Sequence, residues 1–354
     1  MKKPDPKLLE IATYLECTRK PDFNNLLKVL ERGRPHRPTL FEFFLNDGLY
    51  RRLANIESDK IYEGLDVWIS YIKAYSNAGY DYTTVMGSDF AFPSERHQDK
   101  KTISLNEGAV IHDRESFKRY QWPDPDSFDY SRLDALAPEV PEGMKLIVWG
   151  PGGVLENVIA LTGYDTLCYL SVDDPVLVQD IFDEVGSRLV RYYELSTPYE
   201  SVGALISNDD WGFNTQTMLS VPDMRKYVFP WHKKITSAIH AAGKPAILHS
   251  CGQLENVMDD IIDDMKYDAK HSYEDNILPV EQAYDKWGDR IAIFGGIGLD
   301  FLCRSTPEEI FTRSCNMLEK SSSKGSYALG SGNSIPYYVP EENYLAMISA
   351  VREA

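Results

Sequence analysis

AAGKPAILHSCG, residues 241–252, is the stretch on which the fold is read. Gly243 closes a helical run that begins near Val221, and Pro222 suits the first turn of that run. PAILHS (245–250) is short and apolar, as a strand buried in a parallel sheet must be. Gly252 lets the chain turn away tightly, and residues 253–265 return to helical spacing. The same order of helix, stop, buried strand and polar strand end repeats along the chain.

Working outward, TLFEFF (39–44), YTTVM (82–86), LIVWG (146–150), ALISN (204–208), YDAKHS (267–272), IAIFGG (291–296) and SYALGS (326–331) read as further strands. Helical spacing fills 61–79, 151–170, 175–198, 279–287, 307–320 and the segment from Pro340. Residues 1–38 carry N-terminal helices through LLEIATYLE and FNNLLKVLE, ended by Pro35 and Pro38. Residues 87–145, with Pro123, Pro125, Pro138 and Pro141, form a long excursion. Eight strand–helix units predict an α/β chain: a single domain over 1–354, a (β/α)8 TIM barrel with an N-terminal helical extension. A doubly wound sheet is the alternative. No G-x-G-x-x-G or G-x-x-x-x-G-K-[ST] follows any strand, which disfavours nucleotide binding.

The bulk numbers narrow the function. The chain has 354 residues, 43% of them hydrophobic, and a net charge of −17. Phosphate backbones select clustered Lys and Arg, so nucleic acids and anionic membrane surfaces are excluded as partners. No run approaches the ~18 apolar residues of a membrane span. The N-terminus lacks the apolar core of a signal peptide. Five scattered cysteines, Cys17, Cys168, Cys251, Cys303 and Cys315, are not a disulfide framework and fit a reducing cytoplasm.

Chemistry concentrates at the strand ends, where a barrel keeps its active site. His249 and Cys251, two apart on an extended chain, point to one side, and both are zinc-ligand types. A His and a Cys that only pack is the plainer reading of two residues. Asn208, Asp209, Asp210 and Trp211 follow ALIS, His271 and Glu274 follow YDAK, and Ser331 and Asn333 follow YALG. Asp209 and Asp210 are the candidate catalytic carboxylates, although a turn or helix cap explains such a pair as well. Glu156, after Pro151-Gly152-Gly153, is a candidate substrate contact or an acid in a first helical turn. Phe41, Phe43, Phe44, Trp149 and Trp211 could line a pocket or fill the core.

At these residues the chain resembles the uroporphyrinogen decarboxylase superfamily. NDDWGFNTQTMLSVPDMRKYVFPWHKKITSAIHAAGKPAILHSCG is similar to that family's region of strands four and five. IAIFGGIG is similar to its seventh strand, and YALGSGNSIPYYVPEENYLAMISAV to its terminal strand and helix. RGRPHRPTLFEFF is similar in a weaker way. The resemblance implies one of two chemistries: decarboxylation without a cofactor, or zinc-dependent methyl transfer to or from a corrinoid or a thiol. The zinc branch resembles this chain in His-x-Cys, which falls on His249 and Cys251. Its third ligand is usually a cysteine at the end of strand eight, where this chain has Ser331. Glu274 is then the expected third ligand, because a carboxylate can complete a zinc site. The decarboxylase's arginine-rich RQAGRY motif is absent, and Ser331 also replaces its strand-eight histidine.

The reading implied is a methyltransferase using Zn²⁺ held by His249, Cys251 and Glu274. Asp209 or Asp210 would orient ligands or substrate, with Asn208, Trp211, Glu156, Ser331 and Asn333 around the substrate. Its partners would be a small methylated substrate and a corrinoid protein docked over the barrel mouth, and a homodimer is compatible with it. A metal-free decarboxylase or lyase of a small carboxylate, acting through Asp209 or Asp210, is the second reading. A non-catalytic binding barrel is the third.

Overall fold

A computed structural model describes residues 3–17, 19–57, 62–94 and 104–353. Its eight strands are β1 (Thr39–Leu40), β2 (Tyr82–Met86), β3 (Lys145–Trp149), β4 (Val202–Asn208), β5 (Ala246–His249), β6 (Ala269–His271), β7 (Ala292–Phe294) and β8 (Tyr327–Leu329). All pair in parallel, in the order β1-β8-β7-β6-β5-β4-β3-β2. That is the neighbour order of a TIM-like barrel, with helices packed outside. Among the described residues, no helix is long and apolar enough to cross a membrane.

One seam is joined by side chains. Among the described residues no ladder connects β1 to β2. The Tyr82 hydroxyl instead donates to the Glu42 carbonyl and accepts the Glu42 N–H, both at 2.7 Å. Thr84 Oγ1 donates to the Phe43 carbonyl at 2.9 Å. TLFEFF is therefore ladder-paired only at its start, although Glu42 and Phe43 are buried. A buried backbone group must find some partner, and here a tyrosine and a threonine supply it.

The helices differ from the periodicity in detail. The expected run 151–170 is two helices, Val154–Thr162 and Tyr164–Asp173, divided at Gly163. The stretch 253–265 forms a 3-10 turn, Glu255–Val257, and a π turn, Asp260–Asp264, rather than an α-helix. Its buried Leu254, Val257, Met258, Ile261 and Met265 keep helical spacing, so the departure from a regular α-helix has no signature in the apolar pattern. The N-terminal helices are short, Pro6–Leu9, Ile11–Leu15 and Phe23–Leu30, and Asp22 caps the last of them. The helix expected over 61–79 spans Leu65–Ala78. Residue 61, residues 95–103 of the excursion, and residues 1, 2 and 18 of the N-terminal segment lie outside the described residues.

Register places the strand ends in one row. Asn208 pairs with His249, and His249 pairs with His271. Consecutive side chains alternate across a strand, so a shared register level presents these residues together.

The Tyr82 hydroxyl is the element of the seam most easily removed. Tyr82→Phe leaves the buried Glu42 N–H without its acceptor, and it should cost about 1–3 kcal/mol. A urea titration should show a lowered midpoint with an unchanged slope.

Candidate metal centre

Three donor atoms from two neighbouring strand ends converge at the top of the sheet. One ligating atom each from Asp210, His249 and Cys251 lies within 4.8 Å of the others. His249 Nε2 is 3.9 Å from Cys251 Sγ and 4.0 Å from Asp210 Oδ1. The Cys251 N–H donates to Asp210 Oδ1 at 2.9 Å, so the carboxylate is oriented by the residue it would join. The approach needs two glycines. A side chain on Gly252, at φ +91°, would collide with the Gly212 backbone, and L residues rarely adopt that φ. Gly212–Gly252 contact is thus what lets the loops after β4 and β5 meet.

The environment decides the protonation of these groups. His249 is buried, and burial followed by the nearby Lys270 lowers its pKa to about 3. The ring is therefore neutral and able to ligate. Burial, and then Asp210, push the Cys251 thiol well above its usual range. That sulfur accepts an N–H from Asn333 Nδ2 at 3.2 Å and lies 3.8 Å from Ser272 Oγ. The Asp210 side chain is 44% exposed, which leaves the cluster open on that side.

Asp209 sits apart from its neighbour and is fully buried. Its Oδ1 accepts Glu156 N–H, and its Oδ2 accepts Leu155 N–H and His232 Nε2–H, all at 2.9 Å. It anchors the start of the helix Val154–Thr162 onto β4, and the absence of a side chain on Gly153 makes room for it. Glu156 Oε2 accepts the Gly153 N–H at 2.8 Å. Its carboxyl is pushed up to about 8 by burial and by the charges of Asp209 and Asp210. Asn208 Oδ1 accepts the Gly150 N–H at 3.1 Å, joining β4 to β3. Trp211 is fully buried and stands edge-on to His232, centroids 4.7 Å apart.

Glu274 Oε1 accepts the Gly252 N–H at 3.1 Å, on the turn directly after Cys251. Ser331 is fully buried and bound to Glu42. Its N–H donates to Oε1 at 2.6 Å and its hydroxyl to Oε2 at 2.7 Å. Asn333 is at the cluster through its bond to Cys251. Phe43 packs on His249 at 4.7 Å and on Phe44 at 3.9 Å, and Phe44 meets Trp149 at 4.9 Å. Phe41 lies lower, edge-on to His271.

Sequence reasoning assigns no role to Glu42 or His271 and does not single out Asp210 as a ligand. The charge within the apolar TLFEFF is the signal for Glu42. The signal for His271 is its position next to last in YDAKHS, matching His249 in PAILHS.

Residues 75–354 match the protein family described as uroporphyrinogen decarboxylase (URO-D). No curated protein sequence is significantly similar to the chain. Among solved structures, a methyltransferase from Methanosarcina mazei superposes with a TM-score of 0.68 at 15% identity, covering 93% of this chain and 97% of that one. A 3-keto-D-glucoside 4-epimerase from E. coli gives a TM-score of 0.44 at 12% identity, covering 90% and 98%. The first likeness is one of fold.

Glu42 gives the upper end of the barrel a pH dependence. Burial pushes its carboxyl up to about 8, against the pull of both Ser331 hydrogen bonds. In the unfolded chain a glutamate titrates near 4.3. Between those values the folded protein holds a proton that the unfolded chain has released, so stability falls as pH rises through that window and levels off above it. Glu42→Gln mimics the protonated form. The stability of the wild type relative to this variant should decline from pH 5 to pH 8 in parallel denaturant titrations, and a constant difference would contradict the assignment.

Proposed function

The chain belongs to the uroporphyrinogen decarboxylase family, and on that footing we propose that it is a zinc-dependent methyltransferase. It would move a methyl group between a small methylated substrate or thiol and a corrinoid carried by a partner protein. The observation that carries the reading is the convergence of Asp210, His249 and Cys251 at adjacent strand ends.

The donor set fits zinc. Imidazole nitrogen, thiolate sulfur and carboxylate oxygen are its ordinary ligands, and tetrahedral bonds of normal length put N and S about 3.6 Å apart. The 3.9 Å between His249 Nε2 and Cys251 Sγ is close to that separation. Zinc held there would act as a Lewis acid, polarising a methylated heteroatom or lowering the pKa of an acceptor thiol.

The chain's own residues divide the remaining work. His249 offers a neutral nitrogen. Cys251 keeps its proton in the free protein and gives it up to a cation, so zinc uptake should release about one proton per site. The Asn333 amide donates to that sulfur and would stabilise the thiolate. We assign the third ligand position to Asp210, whose Oδ1 is already held by the Cys251 N–H. Glu274 holds the Gly252 N–H and shapes the turn that carries Cys251. Asp209 is the buried anchor on which Asp210 is hung. Phe43, Phe44 and Trp149 form an aromatic wall beside His249 that would exclude water and align an in-line transfer. Glu156, half-buried and pushed up to about 8, is a neutral acid beside Asp210.

Purified protein should contain about one zinc per chain, with a His249→Ala, Cys251→Ala double variant losing both metal and methyl transfer. Full metal and full activity in that variant would refute the proposal. Asp210→Asn should weaken zinc binding about 10–100-fold, while Glu274→Gln should stay within a few-fold of wild type. The reverse order in a chelator competition would return the third ligand to Glu274.

A further inference from the structure

His249 can offer Nε2 to a cation only if its proton is on Nδ1, and the surroundings of the ring fix that choice. His271 lies opposite His249 in the β5–β6 register and is fully buried. Its Nε2 is 3.2 Å from the Ser331 carbonyl oxygen. A carbonyl oxygen only accepts, so this nitrogen carries a proton. The ring is fully buried and its polar partners are His249 and the Ser331 carbonyl, with no carboxylate to balance a charge, so it is neutral and its Nδ1 bears a lone pair. Nδ1 of His249 is 2.8 Å away. Two lone pairs do not face each other at that distance, so His249 Nδ1 is the donor. Its Nε2 is left unprotonated, and this is the atom facing Cys251 and Asp210.

What holds His271 is equally specific. The Ser331 peptide is clamped from behind by the Glu42 carboxyl group through its N–H and hydroxyl, at 2.6 and 2.7 Å. Gly295, at φ +70°, leaves the space. A side-chain carbon there would stand 2.8 Å from His271 Cδ2 and 2.9 Å from Nε2, and would overlap the Ser331 carbonyl oxygen. The edge-on ring of Phe41, with centroids 5.0 Å apart, backs His271. A histidine that merely filled space would need neither an aligned carbonyl nor a lone pair turned to its neighbour.

We propose that His271 is a positioning residue: by accepting the His249 Nδ1–H it fixes the tautomer that presents Nε2 to the cation, without itself touching cation or substrate. Ser331, at the position where the zinc branch carries a sulfur ligand, contributes its carbonyl oxygen to this relay. The inference rests on the reading of Asp210, His249 and Cys251 as a cation site.

Two-bond ¹H–¹⁵N spectra of the metal-free protein test it, paired with zinc titration of the same samples. Wild type should show His249 protonated at Nδ1. His271→Leu, which removes the acceptor, should shift His249 toward Nε2–H and weaken zinc binding about 10–100-fold. His271→Gln, whose amide oxygen can accept the same proton, should retain Nδ1–H and recover zinc affinity to within a few-fold. An Nε2–H His249 in the wild type overturns the proposal and requires no variant to fold. A folded Leu variant with wild-type zinc affinity overturns it too. Wild-type protein that takes up no zinc defeats the metal reading instead, and the tautomer spectrum then still decides the relay.

Discussion

The hydrogen bond between His249 and His271 is the constraint around which the upper end of the barrel is organised. Two buried imidazoles at 2.8 Å must divide donor and acceptor roles between them, because an unpaired buried polar group is costly. Once the Ser331 carbonyl takes the outer proton of His271, the remaining assignments follow in one direction. The chain of contacts runs from Glu42 through Ser331 and His271 to His249 and ends at an unprotonated nitrogen between a thiol and a carboxylate. Fully connected buried polar networks of this kind rigidify a site, whereas partly connected ones destabilise it.

Around that chain, the loops after β4 and β5 are held by backbone contact rather than by large side chains. Asp209 and Asp210 are adjacent in sequence and opposite in role. Asp209 points inward and fastens the helix Val154–Thr162 through two N–H bonds. Asp210 faces the mouth and accepts from Cys251. Alternation along an extended segment sends neighbours to opposite sides, so one buried acid secures the loop on which the exposed one is presented. The Gly212–Gly252 approach closes the same arrangement from the other loop.

Much of this was legible in the sequence. The strand segments were marked by short apolar runs, and eight of them alternating with helices define the architecture. PAILHS ending in His-Ser-Cys-Gly placed His249 and Cys251 on one side. The helix boundaries were less legible, because Gly163 splits one run and 253–265 forms 3-10 and π turns although its apolar residues keep helical spacing. TLFEFF reads as a full strand, yet Glu42 and Phe43 are bonded by the side chains of Tyr75, Tyr82 and Thr84, and side-chain substitution for a ladder leaves no local pattern. The choice between Asp210 and Glu274 was also out of reach. Both follow strands adjoining β5, and only the loop path shows that Asp210 reaches the donor cluster while Glu274 turns to the Gly252 N–H.

The central claim is a cation held by one sulfur, one imidazole nitrogen and one carboxylate oxygen. Zinc K-edge X-ray absorption of the protein loaded with one equivalent tests it most directly. The account predicts a four-coordinate first shell with a single sulfur at about 2.3 Å and the remaining ligands nitrogen or oxygen at about 2.0–2.2 Å. A shell without sulfur, or one with two sulfurs, would contradict it.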